Sequence, residues 1–167
     1  MRGRYPALSA LFALLALFTL GLCAAGFASA QTKVGPAPLV RILSAQAGLF
    51  GPPGTDATQF LPATRVPLKD GQVFGWKMTV QTSLKSVPVR EEITLPQEPA
   101  TWGDPEPDIK RKTSADGRSA TTELWLQPKD GVIFRTWSVT PGDPKGIWVI
   151  KVSVQGQAEK VFRLEAH

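Results

Sequence analysis

Lys145-Gly146-Ile147-Trp148-Val149-Ile150-Lys151-Val152-Ser153-Val154 is followed by Gln155-Gly156-Gln157 and then by Ala158 to Leu164. This stretch decides the fold. Trp148, Ile150, Val152 and Val154 occupy alternate positions, and a strand puts alternate side chains on one face. Gln155-Gly156-Gln157 offers a turn with a glycine able to take positive φ. Phe162 and Leu164 return at the same period of two, so the stretch reads as a β-hairpin with one apolar face.

Working outward, the same period recurs. Gln72 to Thr82 carries Phe74, Trp76, Met78 and Val80 on one side and Lys77, Thr79 and Gln81 on the other. That face is expected to oppose the hairpin. Ser86 to Leu95 points Val87, Val89, Ile93 and Leu95 inward. Glu91 interrupts that series, and a bulge that re-aims it to solvent is preferred over a buried carboxylate needing a partner. Ala120 to Gln127 and Val132 to Thr140 complete the strong strands, joined by a turn at Lys129-Asp130-Gly131. Leu39 to Ala47 reads as a first strand, and Thr58 to Val66 as an edge interrupted by Pro62. Pro96 to Gly117 reads as a long surface loop with at most a short strand near Ile109 to Thr113. Seven to eight short strands with Pro, Gly and Asp turns, and no apolar period of 3.6, predict an all-β sandwich in one domain, 39–167.

The N-terminus has a different logic. Arg2 and Arg4 precede an apolar run from Ala7 to Leu22, and Ala28-Ser29-Ala30 is a small-x-small cleavage site, the layout of a secretory signal peptide over residues 1–30. The run is short for a retained membrane anchor. Leu22 before Cys23 is too large for a lipobox, so a lipoprotein is not expected. Cleavage after Ala30 leaves 137 of the 167 residues, with residues 31–38 as a flexible tail, in the periplasm or the medium.

The mature chain has no cysteine, which excludes disulfides, thiol nucleophiles and thiolate metal sites. Its only histidine is the final residue, His167, a poor place for a catalytic triad or the usual zinc chemistry. No cofactor is expected. The chain has 19 Lys and Arg against 14 Asp and Glu. Removing Arg2 and Arg4 leaves 17 against 14, a charge of +3, scattered apart from Lys110-Arg111-Lys112. That is no footprint for nucleic acid.

Phe74-Gly75-Trp76, Ile93-Thr94-Leu95-Pro96, and Gly146-Ile147-Trp148 through a closing Phe162 carry a resemblance. So does Ala47-Gly48-Leu49-Phe50, which is similar to a Gly-Ile-Tyr-like segment. Over roughly Val40 to Leu164 the chain resembles a group of small exported bacterial proteins with an immunoglobulin-like β-sandwich. The resemblance implies that antiparallel fold and brings no catalytic residue with it. The Pro96–Gly117 insertion departs from the pattern.

Function must then sit on loops. Trp102, Asp104, Lys110, Arg111 and Lys112 in the long insertion are the candidate ligand or partner contacts, since an exposed aromatic can stack on a sugar or anchor a protein. Trp76 and Trp148 are core residues by phase. Trp125, out of phase with Leu124 and Leu126, is expected to pack on the other sheet face or under the long loop. Trp137 shares a face with Arg135. The resulting expectation is an exported non-enzymatic binding or accessory module. Its partner would be a protein or glycan of the cell envelope, with membrane contact only through an uncleaved signal segment. The alternative is a carboxylate-dependent hydrolase using Glu91 or the Asp104, Glu106 and Asp108 cluster. Glu91 and Glu92, adjacent on a strand, would point to opposite faces and so would not cooperate as a pair.

Overall fold

Period-two patterning yields ten strands in the computed structural model, which describes residues 39–51, 59–103, 109–155 and 158–167. In chain order they are β1 (Val40–Phe50), β2 (Phe60–Pro62), β3 (Arg65–Val66), β4 (Val73–Thr82) and β5 (Val87–Thr94). Then come β6 (Lys110–Thr113), β7 (Ser119–Leu126), β8 (Val132–Ser138), β9 (Gly146–Val154) and β10 (Ala158–Ala166). The strong strands fall where alternation placed them. The count exceeds the expected seven to eight because the expected Thr58–Val66 edge divides into β2 and β3, in different sheets, and the short strand expected near Ile109 to Thr113 is present as β6.

Two sheets result, with orders β2-β1-β4-β8 and β3-β10-β9-β5-β7-β6. Every pairing is antiparallel except that of β3 with β10. In chain order, β1-β4-β8 and β10-β9-β5-β7 reproduce the A-B-E and G-F-C-C′ sheets of an immunoglobulin-like sandwich. The chain clusters into two units, Met1–Gly35 and Pro36–His167, and only the second holds described residues. The expected signal peptide and tail therefore lie outside them. No helix among the described residues is long and apolar enough to cross a membrane.

The hairpin of β9 and β10 lies in the larger sheet, and its apolar face meets β4 across the sandwich. Phe74 on β4 and Trp148 on β9 bring their ring centroids to 4.9 Å. Trp76, Met78, Ile150, Val152 and Leu164 are fully buried between the layers. Trp148 also donates its indole N–H to the Pro144 carbonyl at 2.9 Å, so its polar end is satisfied as its ring is buried. In β1 the alternation of Val40 and Ile42 is broken by a register shift at Leu43. That bulge exposes Leu43 and turns Ala45, Ala47 and Leu49 to the core instead.

Two glycine requirements hold β8 in place. A Cβ on Gly75 would lie 2.0 Å from the Arg135 carbonyl oxygen in the adjacent strand, so β4 and β8 approach closely only with glycine there. At the start of β8, Asp130 and Gly131 have φ of 51° and 74°, the positive pair a type I′ turn demands. Lys129 and Val132 exchange both backbone hydrogen bonds around it. The C-terminus is fastened as well, because the backbone of His167 bonds to Val66 and Leu68.

Trp148→Ala should remove about 3–5 kcal/mol of stability, as large-to-small core changes do. Urea denaturation measures this directly, and an unchanged midpoint would show that the two apolar faces do not depend on each other.

Candidate functional site

The centre of the core is not apolar. Glu91 lies on β5 with its side chain fully buried, 0% exposed. Its strand runs without a register shift against both neighbours, Glu91 lying opposite Thr122 of β7 and Val152 of β9. The expected bulge is absent and the expected solvent exposure is wrong. The reason lies in the opposite sheet, which alternation along one strand cannot reveal. Trp76 of β4 donates its indole N–H to one Glu91 carboxylate oxygen at 2.5 Å, and Trp137 of β8 donates to the other at 2.7 Å. Buried carboxylates survive when both oxygens are hydrogen-bonded. Burial pushes the Glu91 carboxyl above its ordinary value. The two indole donors, then the Arg135 and Arg111 charges, pull it back.

Trp137 extends this arrangement to the surface. β8 is the last strand of its sheet and β6 the last of the other, so the sandwich is open between them. Arg111 of β6 reaches over that opening, its guanidinium carbon 5.1 Å from the centre of the Trp137 ring. The same guanidinium donates to the carbonyls of Trp102 and Gly103. Trp102 donates its indole N–H to the Gly117 carbonyl at 2.9 Å and sets its ring edge-on to Trp137 at 6.3 Å. Between these groups and the exposed edge of β8 lies a cleft of about 330 Å³. Its floor is Phe74, Ile93, Leu95 and Trp148, and Trp102 and Trp137 are walls. Arg111, Arg135, Thr136, Ser138, Thr140 and Asp143 supply polar groups.

Several expectations change here. Trp102 is half-buried and part of the wall, not a free platform. Lys110-Arg111-Lys112 is not one basic patch, because a strand turns Arg111 inward and leaves Lys110 and Lys112 exposed on the other face. Asp104, with Glu106 and Asp108, lies outside the described residues. Trp125 is 70% exposed on the outer face of β7, beside an Arg90–Glu123 ion pair, and is not buried as expected. Glu92 does face away from Glu91, toward Lys151 on the outer surface. Asp143 accepts from both the backbone N–H and the hydroxyl of Thr140, which ties its carboxylate into a turn. Among the described residues no group of three or more His, Cys, Asp or Glu could hold a metal ion. Sequence reasoning missed Trp137 and Arg135 as site residues. Their shared face was visible, but not the edge position that brings them to a cleft.

With this geometry established, the relatives can be placed. The sequence profile of the PM0630 beta sandwich domain matches residues 45–167, and the chain belongs to that family. Among solved structures it is similar to an immunoglobulin-like protein, PA1606, from Pseudomonas aeruginosa. Identity there is 21% over 80% of this chain and 100% of that one, with a TM-score of 0.49. No curated protein matches it.

The Glu91 carboxyl makes stability depend on pH with a definite sign. A carboxyl raised in the folded state binds its proton more tightly there than in the unfolded chain. Its contribution is therefore fully present below the ordinary value of 4.5 and is lost as pH rises through the folded value. Glu91→Gln should flatten this part of the profile, because an amide does not ionise. At the acid end the variant should be less stable by about 1–3 kcal/mol, since its NH₂ must face an indole N–H. Denaturation midpoints of both proteins across the acid to neutral range test this, and an identical pH slope in the two would refute it.

Proposed function

We propose that this chain is an exported binding or accessory module without catalytic activity, and that its site is the cleft between β8 and the Trp102 loop. The observation that carries the reading is how its carboxylates are used. The hydrolase alternative needs an acid and a base, or a nucleophile, held at a working separation with oxygens free to act. Both oxygens of Glu91 are taken by indoles deep in the core, and those of Asp143 by Thr140. Among the described residues, the cleft then offers aromatic walls and the hydroxyl-bearing Thr136 and Ser138, groups that recognise a ligand without transforming it. The partner is a protein or glycan of the cell envelope.

Export supports the same reading, through Arg2 and Arg4, the Ala7–Leu22 run and the Ala28-Ser29-Ala30 site. Protein recovered from the periplasm or medium should have the intact mass of Gln31–His167. A diacylglycerol adduct on Cys23 would instead make it a lipoprotein. Chromogenic glycoside and ester substrates should show no turnover above the rate in buffer. Turnover abolished by Glu91→Gln in a variant that stays folded would replace the binding module with the hydrolase.

A further inference from the structure

The cleft has a backbone side as well as a side-chain side, and its direction can be read from the ladder. Val139 donates its N–H to the Gln72 carbonyl and accepts from Gly71, and Gly131 accepts from Val80. Residues of odd number at both ends of β8 thus turn their backbone groups toward β4, and no register shift separates the two ends. By antiparallel alternation, Thr136 and Ser138 turn their N–H and C=O groups the other way, to the open side. Both residues line the cleft. No hydrogen bond to these groups occurs among the described residues.

Sheet edges are ordinarily blunted by lysines, proline or shortness. The other edges here follow that rule. β6 carries exposed Lys110 and Lys112, β2 ends in Pro62, and β3 is two residues long. β8 has seven residues with neither lysine nor proline, and its only charged side chain, Arg135, shares the inward-facing phase of Ile133 and Trp137. Resting on the reading of the cleft as the binding site, we infer that it takes an extended peptide segment of a protein partner. That segment adds a strand to β8 through Thr136 and Ser138. An added strand would turn alternate side chains inward between Trp102 and Trp137, which calls for an apolar or aromatic residue there. A glycan would engage the walls but has no use for a strand edge.

A random dodecapeptide library displayed on phage provides the probe. Peptides retained by the mature domain are synthesised, and each is also made with alternate amides N-methylated. The expected result has three parts. Thr136→Pro, which removes one outward N–H at an edge that tolerates proline, and N-methylation in the matching phase each weaken binding about five- to tenfold. Trp102→Ala weakens it as well. Bound peptide slows hydrogen exchange at the Thr136 and Ser138 amides, a readout that needs no variant to fold. Binding lost with Trp102→Ala but indifferent to Thr136→Pro and to N-methylation would keep the cleft and overturn strand addition. Peptides indifferent to all three changes, or none retained, would overturn the peptide and remove this support for the cleft. Protection of the same amides that grows with protein concentration, without peptide, would assign the edge to a second copy and overturn the inference.

Discussion

A carboxylate placed between two packed sheets must find hydrogen-bond donors inside the protein or take up a proton. Glu91 is in that position, and the donors come from the facing layer, Trp76 and Trp137 on adjacent strands. The two indoles can reach it only if β4 and β8 keep their register and lie close together. Gly75 permits that approach, and the Asp130-Gly131 turn sets where β8 begins. One polar contact across the sandwich thus fixes the lateral position of the two sheets, which apolar contact, being non-directional, leaves loose.

The same contact prepares the surface. With its N–H held by Glu91, Trp137 presents its ring to the open side of the sandwich, where Arg111 lies over it and Trp102 meets it edge-on. Arg111 then holds the carbonyls of Trp102 and Gly103. A continuous line of contacts runs from the buried acid to the cleft wall. The cleft is therefore preformed, its walls fixed by the core.

Much of this was legible in the sequence. Period two located the six long strands from β4 on, and the hairpin supplied the apolar face that the tilted ring contact of Phe74 with Trp148 confirms. What lay hidden shares one physical cause: alternation reports the face of a strand but not what stands opposite. Glu91 looked like an error in its strand because its donors are 15 and 46 residues away. Arg111 could not be told apart from Lys110 and Lys112 because its aromatic partner, Trp137, belongs to the other sheet. Trp125 looked buried because large aromatics usually are, yet its phase with Glu123 already put it on the outer face.

The central claim is that one carboxylate receives both indole protons inside the core. Proton–nitrogen NMR spectra that follow the Trp76 and Trp137 indole N–H signals through a pH titration test it most directly. Both signals should be shielded from solvent exchange and should shift together, with one midpoint above the ordinary carboxylate value of 4.5. Indole protons that exchange rapidly, or that ignore the titration of Glu91, would contradict it.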